Sequence, residues 1–477
     1  MTKYFTLPNS ILKKRLLKDG EVCDLEFREP MSEVLVQSVG ASLLSKRSKG
    51  VFSIDASDTQ KDALEAITGA VLYENRLYDL SDLFPLELVQ NVVDAEPTPG
   101  LNKFSFVVVA PDGQPIPAVS LTCRIDRRDG PVYTSDHEGR VTVEMACASI
   151  PALVIQPVEN FWPTVIYGRA PSEQPEQIIL SPVELDKCER FVELLGESDV
   201  NDGKGVVIAV IDTGVAAHTN LPNVTKRLTV LNAEPVIDEL PNGIAHGTHV
   251  AGIIGSNHPE CLGKAPSAEL HSYRVCAPNS RNMETLDVVS AITEAVESGA
   301  DIINLSLGFD DEDAAIVDAV EFALMSGVVV IAASGNKGLD SASFPARMKN
   351  VVSVSAIGKV DAYPHGSQAA LTRAKEQVGE YFVGSFCNTG DGQIQCSAPG
   401  IGIVSTVGMD GFLPCSGTSM AAPIISGLGA AILSRHIESL GARSVERAQK
   451  LMAMLYTTCK SHGLTPANVG LGIPSVR

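Results

Sequence analysis

Four apolar runs, at 206–211, 302–307, 328–333 and 351–356, dominate the second half of the chain. Val, Ile, Leu and Ala follow one another there with little polar interruption, which predicts strands buried on both faces, as in a parallel sheet covered by helices. Between the runs, residues 286–297 and 314–325 carry apolar side chains at helical spacing. Strand and helix patterns alternate in this way from about Val183 onward, so the largest part of the chain reads as an α/β region.

The part up to Asp94 has a different texture. Strand-like runs at 34–39 and 51–54, with a helical pattern from Asp58 to about Ile67, predict a small α+β unit. The segment Ala95-Glu96-Pro97-Thr98-Pro99-Gly100 reads as a linker, because closely spaced prolines and a glycine continue neither a helix nor a central strand. From Phe104 to about Gly168, short β-rich runs are divided by turn signals such as Pro111-Asp112-Gly113 and Asp136-His137-Glu138-Gly139, the spacing of a small β-sandwich. The expected architecture is therefore multidomain: an α+β region over 1–94, a β-sandwich over 101–180, and an α/β domain with a mainly parallel sheet over 183–477.

Composition agrees with that count, since 477 residues at roughly 150 per domain suit about three domains. Hydrophobic residues at 44% and charged residues at 20% exclude disorder, collagen and coiled coil as whole-chain descriptions. With 37 basic and 57 acidic residues the formal charge is −20, which repels phosphate backbones, so no nucleic-acid partner is expected. No apolar run approaches the ~20 residues that span a bilayer, and no membrane partner is expected either. Residues 1–18 carry Lys13, Lys14, Arg15 and Lys18 without a continuous apolar stretch behind them, so no secretory signal is read. The ten cysteines are scattered, with no CxxC pair or zinc-like spacing, and favour a cytoplasmic setting. Cys387 and Cys396 lie close enough in sequence for a local bridge, although nothing else points to export.

Three segments carry the chemistry. The run 206–211 ends in Asp212-Thr213-Gly214, a carboxylate at the carboxyl end of a buried strand, where parallel sheets place functional groups. Taken alone, Asp212 reads as a turn or helix cap. His246-Gly247-Thr248-His249 opens a Gly-rich apolar helix; two histidines three apart suggest a metal face, but a zinc protease's Glu is missing and no third ligand is near. In Ser416-Gly417-Thr418-Ser419-Met420-Ala421-Ala422-Pro423 a serine sits in a small-residue turn that leads into a helix, where a positive helix terminus stabilises developing negative charge. Asp, His and Ser, each at a strand end or helix start, form the acid, base and nucleophile that activate a hydroxyl.

With these motifs, residues from about Asp202 to the C-terminus resemble the catalytic domain of the subtilisin-like serine proteases. Asp212-Thr213-Gly214 is similar to that family's aspartate motif, 246–252 to its histidine motif, 417–423 to its serine motif, and Ala333-Ser334-Gly335-Asn336 to its oxyanion-asparagine motif. The resemblance implies a serine endopeptidase with Ser419 as nucleophile, His246 as general base and acid, Asp212 orienting His246, and Asn336 in the oxyanion hole. It also implies that Ser306, Leu307 and Gly308 pair with the substrate as an added strand, the partner being a peptide or protein. The middle region, in turn, resembles the carboxypeptidase regulatory-like sandwiches attached to many proteases.

Phe309 departs from the family pattern, standing where a second glycine is common, and so does Ile424, where the family often has His. The stretch 363–382 is longer than a compact member needs and reads as a surface insertion. The acids Asp310-Asp311-Glu312-Asp313 suggest either a calcium site, the one cofactor to weigh, or the cap of the helix at Ala314, which is simpler. The N-terminal unit reads as an accessory domain or as a prodomain that autoinhibits by covering the cleft. Two alternatives keep the site but change the outcome: a transpeptidase or macrocyclase acting on a precursor peptide, and a non-catalytic peptide-binding protein.

Overall fold

A four-stranded antiparallel sheet opens the chain in the computed structural model, which describes residues 2–8, 11, 31–46, 50–79, 97–125, 128–189, 191–237, 244–280 and 282–475. The basic residues Lys13, Lys14, Arg15 and Lys18 lie outside the described residues. The sheet is built from β1 (Thr2–Phe5), β2 (Ser42–Lys46), β3 (Phe52–Ala56) and β4 (Tyr73–Glu74) in the order β2-β3-β1-β4. Residues 34–39, expected as a strand, belong largely to helix α1 (Glu33–Ser38). Ser32 caps it by accepting from the Leu35 N–H, and this local bond outweighs the β-branched side chains, of which only Val36 is buried. Helix α2 (Asp58–Thr68) starts in a reciprocal capping box between Ser57 and Gln60. The short strand β5 (Leu77–Asp79) then leaves this unit.

Residues 97–179 form two facing sheets. Their strands are β6 (Pro97–Val109), β7 (Ser120–Ile125), β8 (Arg128–Thr134), β9 (Arg140–Cys147), β10 (Ile150–Gln156), β11 (Thr164–Arg169) and β12 (Ser172–Ile179). The orders are β11-β10-β7-β8 and β12-β6-β9, with Phe104, Phe106, Val108, Leu121, Val143 and Leu153 in the core between them. Pro97-Thr98-Pro99-Gly100, expected as linker, already belongs to β6. Proline is tolerated there because it is the first residue of the strand, and an irregularity between Pro97 and Asn102 relieves the ladder of its missing donors.

The remaining residues contribute α3 (Val192–Leu195), β13 (Val207–Asp212), β14 (Val224–Leu231), β15 (Glu234–Ile237), α4 (His246–Gly255), β16 (Asn257–His258), β17 (Cys261–Leu262), β18 (Glu269–Arg274) and β19 (Asn282–Glu284). They continue with α5 (Thr285–Glu297), β20 (Ile302–Leu305), α6 (Ala314–Met325), β21 (Val329–Ala333), β22 (Val352–Lys359), β23 (Ala374–Val378), β24 (Tyr381–Gly384), β25 (Cys396–Pro399), β26 (Ile403–Val407), β27 (Gly411–Cys415) and the long helix α7 (Thr418–Arg435). The central sheet runs β15-β14-β18-β13-β20-β21-β22-β24-β23, with β25 also pairing β22; the stretch from β14 to β22 is parallel throughout. Its strands are apolar on both faces because each face meets helices: Ile208 and Val210 join one core with α4 and α7, while Ala209 and Ile211 join another with α5 and α6.

Both other units pack on this sheet domain. Phe5, Leu7, Val51 and Tyr73 of the N-terminal unit enter the core that α5 and α6 share. The sandwich docks through Asn160, whose N–H donates to Phe412 O at 2.6 Å and whose Oδ1 accepts from the Phe412 N–H at 3.0 Å, and through Trp162 against Tyr363. The stretch 363–382, expected as a surface insertion, has two jobs. Its first part receives the sandwich, with Val165 donating to Gly366 O and Leu371 packed against the cluster of Ala152, Val154 and Val165, and its second part adds strands β23 and β24 to the sheet edge.

Candidate active site

The site lies where three elements start or stop. Asp212 is the last residue of β13, His246 the first of α4, and Ser419 the second of α7, and the two helices pack on each other. All three side chains are nearly sealed from solvent, at 2%, 0% and 2% exposure. The Nδ1 of His246 donates to both oxygens of Asp212, at 2.8 and 3.0 Å, which fixes the tautomer that leaves Nε2 as the basic atom. Asp212 Oδ1 also accepts from the Thr213 N–H at 2.6 Å, and Thr213 Oγ1 in turn accepts from the Gly247 N–H. Residue 247 has to be glycine: a Cβ there would lie 2.4 Å from Gly214 O and 3.1 Å from Asp212 Oδ1, pushing the imidazole's support apart.

Ser419 is held by a buried polar chain that the motifs alone did not bring out. Pro423 has no N–H to give the carbonyl four residues earlier, and that carbonyl belongs to Ser419. The Ser306 hydroxyl fills the vacancy, donating to Ser419 O at 2.9 Å. Ser306 accepts from Asn304 Nδ2, and Asn304 Oδ1 accepts from Ser426, each at 2.9 Å, with all three residues fully buried. The signal was present in the sequence as Asn304 and Ser306 interrupting an apolar strand run. The Ser419 hydroxyl itself donates to Ser306 O at 3.2 Å.

Asn336 follows β21. Its Oδ1 accepts from both the N–H and the hydroxyl of Thr418, each at 2.9 Å, which fixes the amide beside the pocket that Ser419 lines. Gly335 adopts φ +108°, and a Cβ there would run into Ser343 Oγ at 2.2 Å. Leu307, Gly308, Ala333, Asn336, Thr418 and Ser419 line one pocket. Lys337 reaches its rim, where Asp310 holds the ammonium at 2.8 and 2.9 Å. Of the segment 306–308, Ser306 contacts the nucleophile while Leu307 and Gly308 line the pocket.

The neighbouring titratable groups do not compete with this set. Burial lowers His249 to about 4, so it is neutral near pH 7, and its Nε2 donates to Leu413 O at 2.8 Å as a strut. Burial, and next the charge of Asp212, push the Cys276 thiol up to about 12. Cys387 and Cys396 are free, and the Cys387 thiol faces Ala356 O. Asp313 caps α6 through the Ala315 and Ile316 N–H groups. Among the described residues no cluster of three or more His, Cys, Asp or Glu is placed to hold a metal.

If Asn336 stabilises the oxyanion, Asn336→Ala lowers kcat about 10²–10³-fold, the range subtilisins show for their own oxyanion asparagine, with KM changed far less. Steady-state kinetics on an unstructured peptide checks this split.

A parallel α/β sheet carrying an Asp–His pair and a serine at a helix start defines a serine hydrolase. Residues 203–470 match the model of the subtilase family, and the chain belongs to that family. It is 34% identical over 240 residues to subtilisin BL of Lederbergia lenta, covering 49% of this chain and 78% of that one. It is 33% identical over 236 residues to a thermostable alkaline protease of Halalkalibacterium halodurans, covering 49% of this chain and 58% of that protein. A thermophilic serine proteinase of Bacillus sp. (strain AK1) shares 36% over 243 residues, 50% of this chain and 54% of its own length. The chain is accordingly a serine-type endopeptidase acting on peptides or proteins.

Proposed function

We propose that Ser419 attacks the scissile carbonyl and forms an acyl-enzyme, with His246 as base and then acid, Asp212 as its orienting partner, and the Asn336 amide with the Ser419 N–H as the oxyanion hole. The observation that carries this reading is the sealed Asp212–His246 pair, whose two short contacts commit Nδ1 as donor and Nε2 as base. The long bond from Ser419 Oγ to Ser306 O suits a resting state. A substrate strand laid along Ser306, Leu307 and Gly308 competes for that carbonyl and releases the hydroxyl to His246.

The N-terminal unit is proposed to autoinhibit by covering the acyl side of the cleft. Strand β5 pairs antiparallel with β19, and Asp79 lines the same pocket as Ser419. The units are proposed to be the α+β region 1–94, a carboxypeptidase regulatory-like sandwich at 101–180 and the catalytic domain 183–477. The setting is proposed to be cytoplasmic: nine described cysteines are free thiols, which suits a reducing compartment.

Mass spectrometry of the products tests the reaction. Hydrolysis predicts two fragments whose summed mass exceeds the substrate by one water; joined or circular products of unchanged total mass would instead make the chain a transpeptidase. An unaltered peptide bound stoichiometrically would make it a binding protein.

A further inference from the structure

Strand β5 enters the cleft with its chain direction pointing toward the nucleophile: Leu77 pairs Glu284 and Asp79 pairs Asn282, and Asp79 then lines the pocket of Ser419. Asp79, Gly308, Asp310 and Lys337 line both that pocket and the adjoining 930 Å³ cleft, which Tyr78 and Phe309 also line. A segment with this direction occupies the place of a substrate's acyl half, the residues on the amino side of the scissile bond.

Its central side chain meets a built receptor. The Tyr78 ring stacks on Phe309 with centroids 4.0 Å apart and planes at 27°, a close stacked contact. The phenol hydroxyl donates to Asp313 Oδ2 at 2.8 Å, and Thr285 Oγ1 donates to the same oxygen at 2.8 Å, holding it in place. The other oxygen, Oδ1, is committed to the cap of α6, so the carboxylate cannot turn away. Burial, and then the Asp313 charge, push the phenol up to about 12, which keeps it a donor. Phe309, the residue that departs from the family's usual glycine, thus supplies the floor, and Asp313 supplies an acceptor that a phenylalanine cannot use.

We infer that Phe309 and Asp313 form a specificity subsite for a tyrosine side chain upstream of the scissile bond, and that Tyr78 is its resident occupant. This rests on the proposed peptidase site and deepens it by naming a substrate class: extended peptides with tyrosine at one fixed distance before the cleaved bond.

The test uses the full chain carrying Tyr78→Ala, which empties the subsite, and a set of internally quenched alanine-rich peptides in which one tyrosine is walked through the positions before a fixed scissile bond. One position is expected to raise kcat/KM about tenfold over the tyrosine-free peptide, a gain that a stacked ring and a charge-assisted hydrogen bond together supply. At that position phenylalanine retains part of the gain. Asp313→Asn, which preserves the helix cap, turns the charge-assisted bond into a neutral one and shrinks the advantage of tyrosine over phenylalanine, and Phe309→Leu removes the aromatic preference. The chain with Tyr78 intact shows a smaller gain, because its own tyrosine competes. A flat profile, or a gain unchanged by Phe309→Leu and Asp313→Asn, overturns the inference. Fluorophosphonate labelling of Ser419 separates the two levels: a labelled chain with a flat profile has lost only the subsite, whereas an unlabelled chain that cleaves no peptide has lost the peptidase site and the subsite with it.

Discussion

Ser419→Ala is expected to lower peptide hydrolysis about 10⁶-fold, the size of loss seen when subtilisin is deprived of its nucleophile. The substitution removes one oxygen from a residue 2% exposed, and the backbone contacts that place it, Ser306 Oγ to Ser419 O and the Gly417 turn, do not involve that oxygen. Fold and peptide affinity are therefore expected to persist while kcat collapses. What survives is the rate the oxyanion hole and binding give a water molecule, about 10³–10⁴ above the uncatalysed reaction. A loss of only tenfold would mean that another group attacks the peptide. Cys415 and Cys276, the thiols nearest in sequence to Ser419 and in charge coupling to Asp212, are both held protonated by burial.

Asp212→Asn is expected to cost about 10⁴ in kcat at neutral pH. The isosteric amide fits the same space, but Oδ1 is committed to the Thr213 N–H at 2.6 Å. An asparagine therefore places its oxygen there and turns its NH2 toward His246, into the position of Oδ2, now 3.0 Å from Nδ1. The amide oxygen at the Oδ1 position still accepts from Nδ1 at 2.8 Å, but the NH2 beside it opposes the Nδ1 proton and favours the tautomer protonated on Nε2, which lacks the basic atom that Ser419 needs. Because the contact being reversed lies away from the substrate pocket, KM is expected to move little. A kcat within tenfold of the parent would show that the Asp212–His246 pair is structural.

The parallel core was legible because its cause is local: apolar side chains on successive residues, such as Ile208, Ala209, Val210 and Ile211, serve two cores at once and leave no alternation. Helix α6 could be read to the residue for a similar reason, since Asp313 announces the cap. Helix α1 was misread because valines dominate the window and a single side-chain bond from Ser32 decides the conformation. The start of β6 was missed because prolines normally break strands, and only the pairing with β9 shows where they are tolerated. In the site, the chemistry-bearing residues stand in short sequence motifs, whereas their supports depend on distant partners. That Pro423 leaves a carbonyl for Ser306 to satisfy, or that residues 363–371 receive the sandwich, follows from contacts more than a hundred residues apart, such as Ser306 with Ser419. Phe309 was visible as a departure from pattern; its meaning required Tyr78 to be seen on top of it.

The most direct test of the central claim is to treat the intact chain and its Ser419→Ala variant with a fluorophosphonate and locate the adduct by peptide mass spectrometry. An activated hydroxyl in an oxyanion hole predicts a single phosphonylated residue, Ser419, in the parent chain and none in the variant. Modification at another residue, or modification of the variant as well as the parent, would contradict the assignment of Ser419, His246 and Asp212 as the catalytic set.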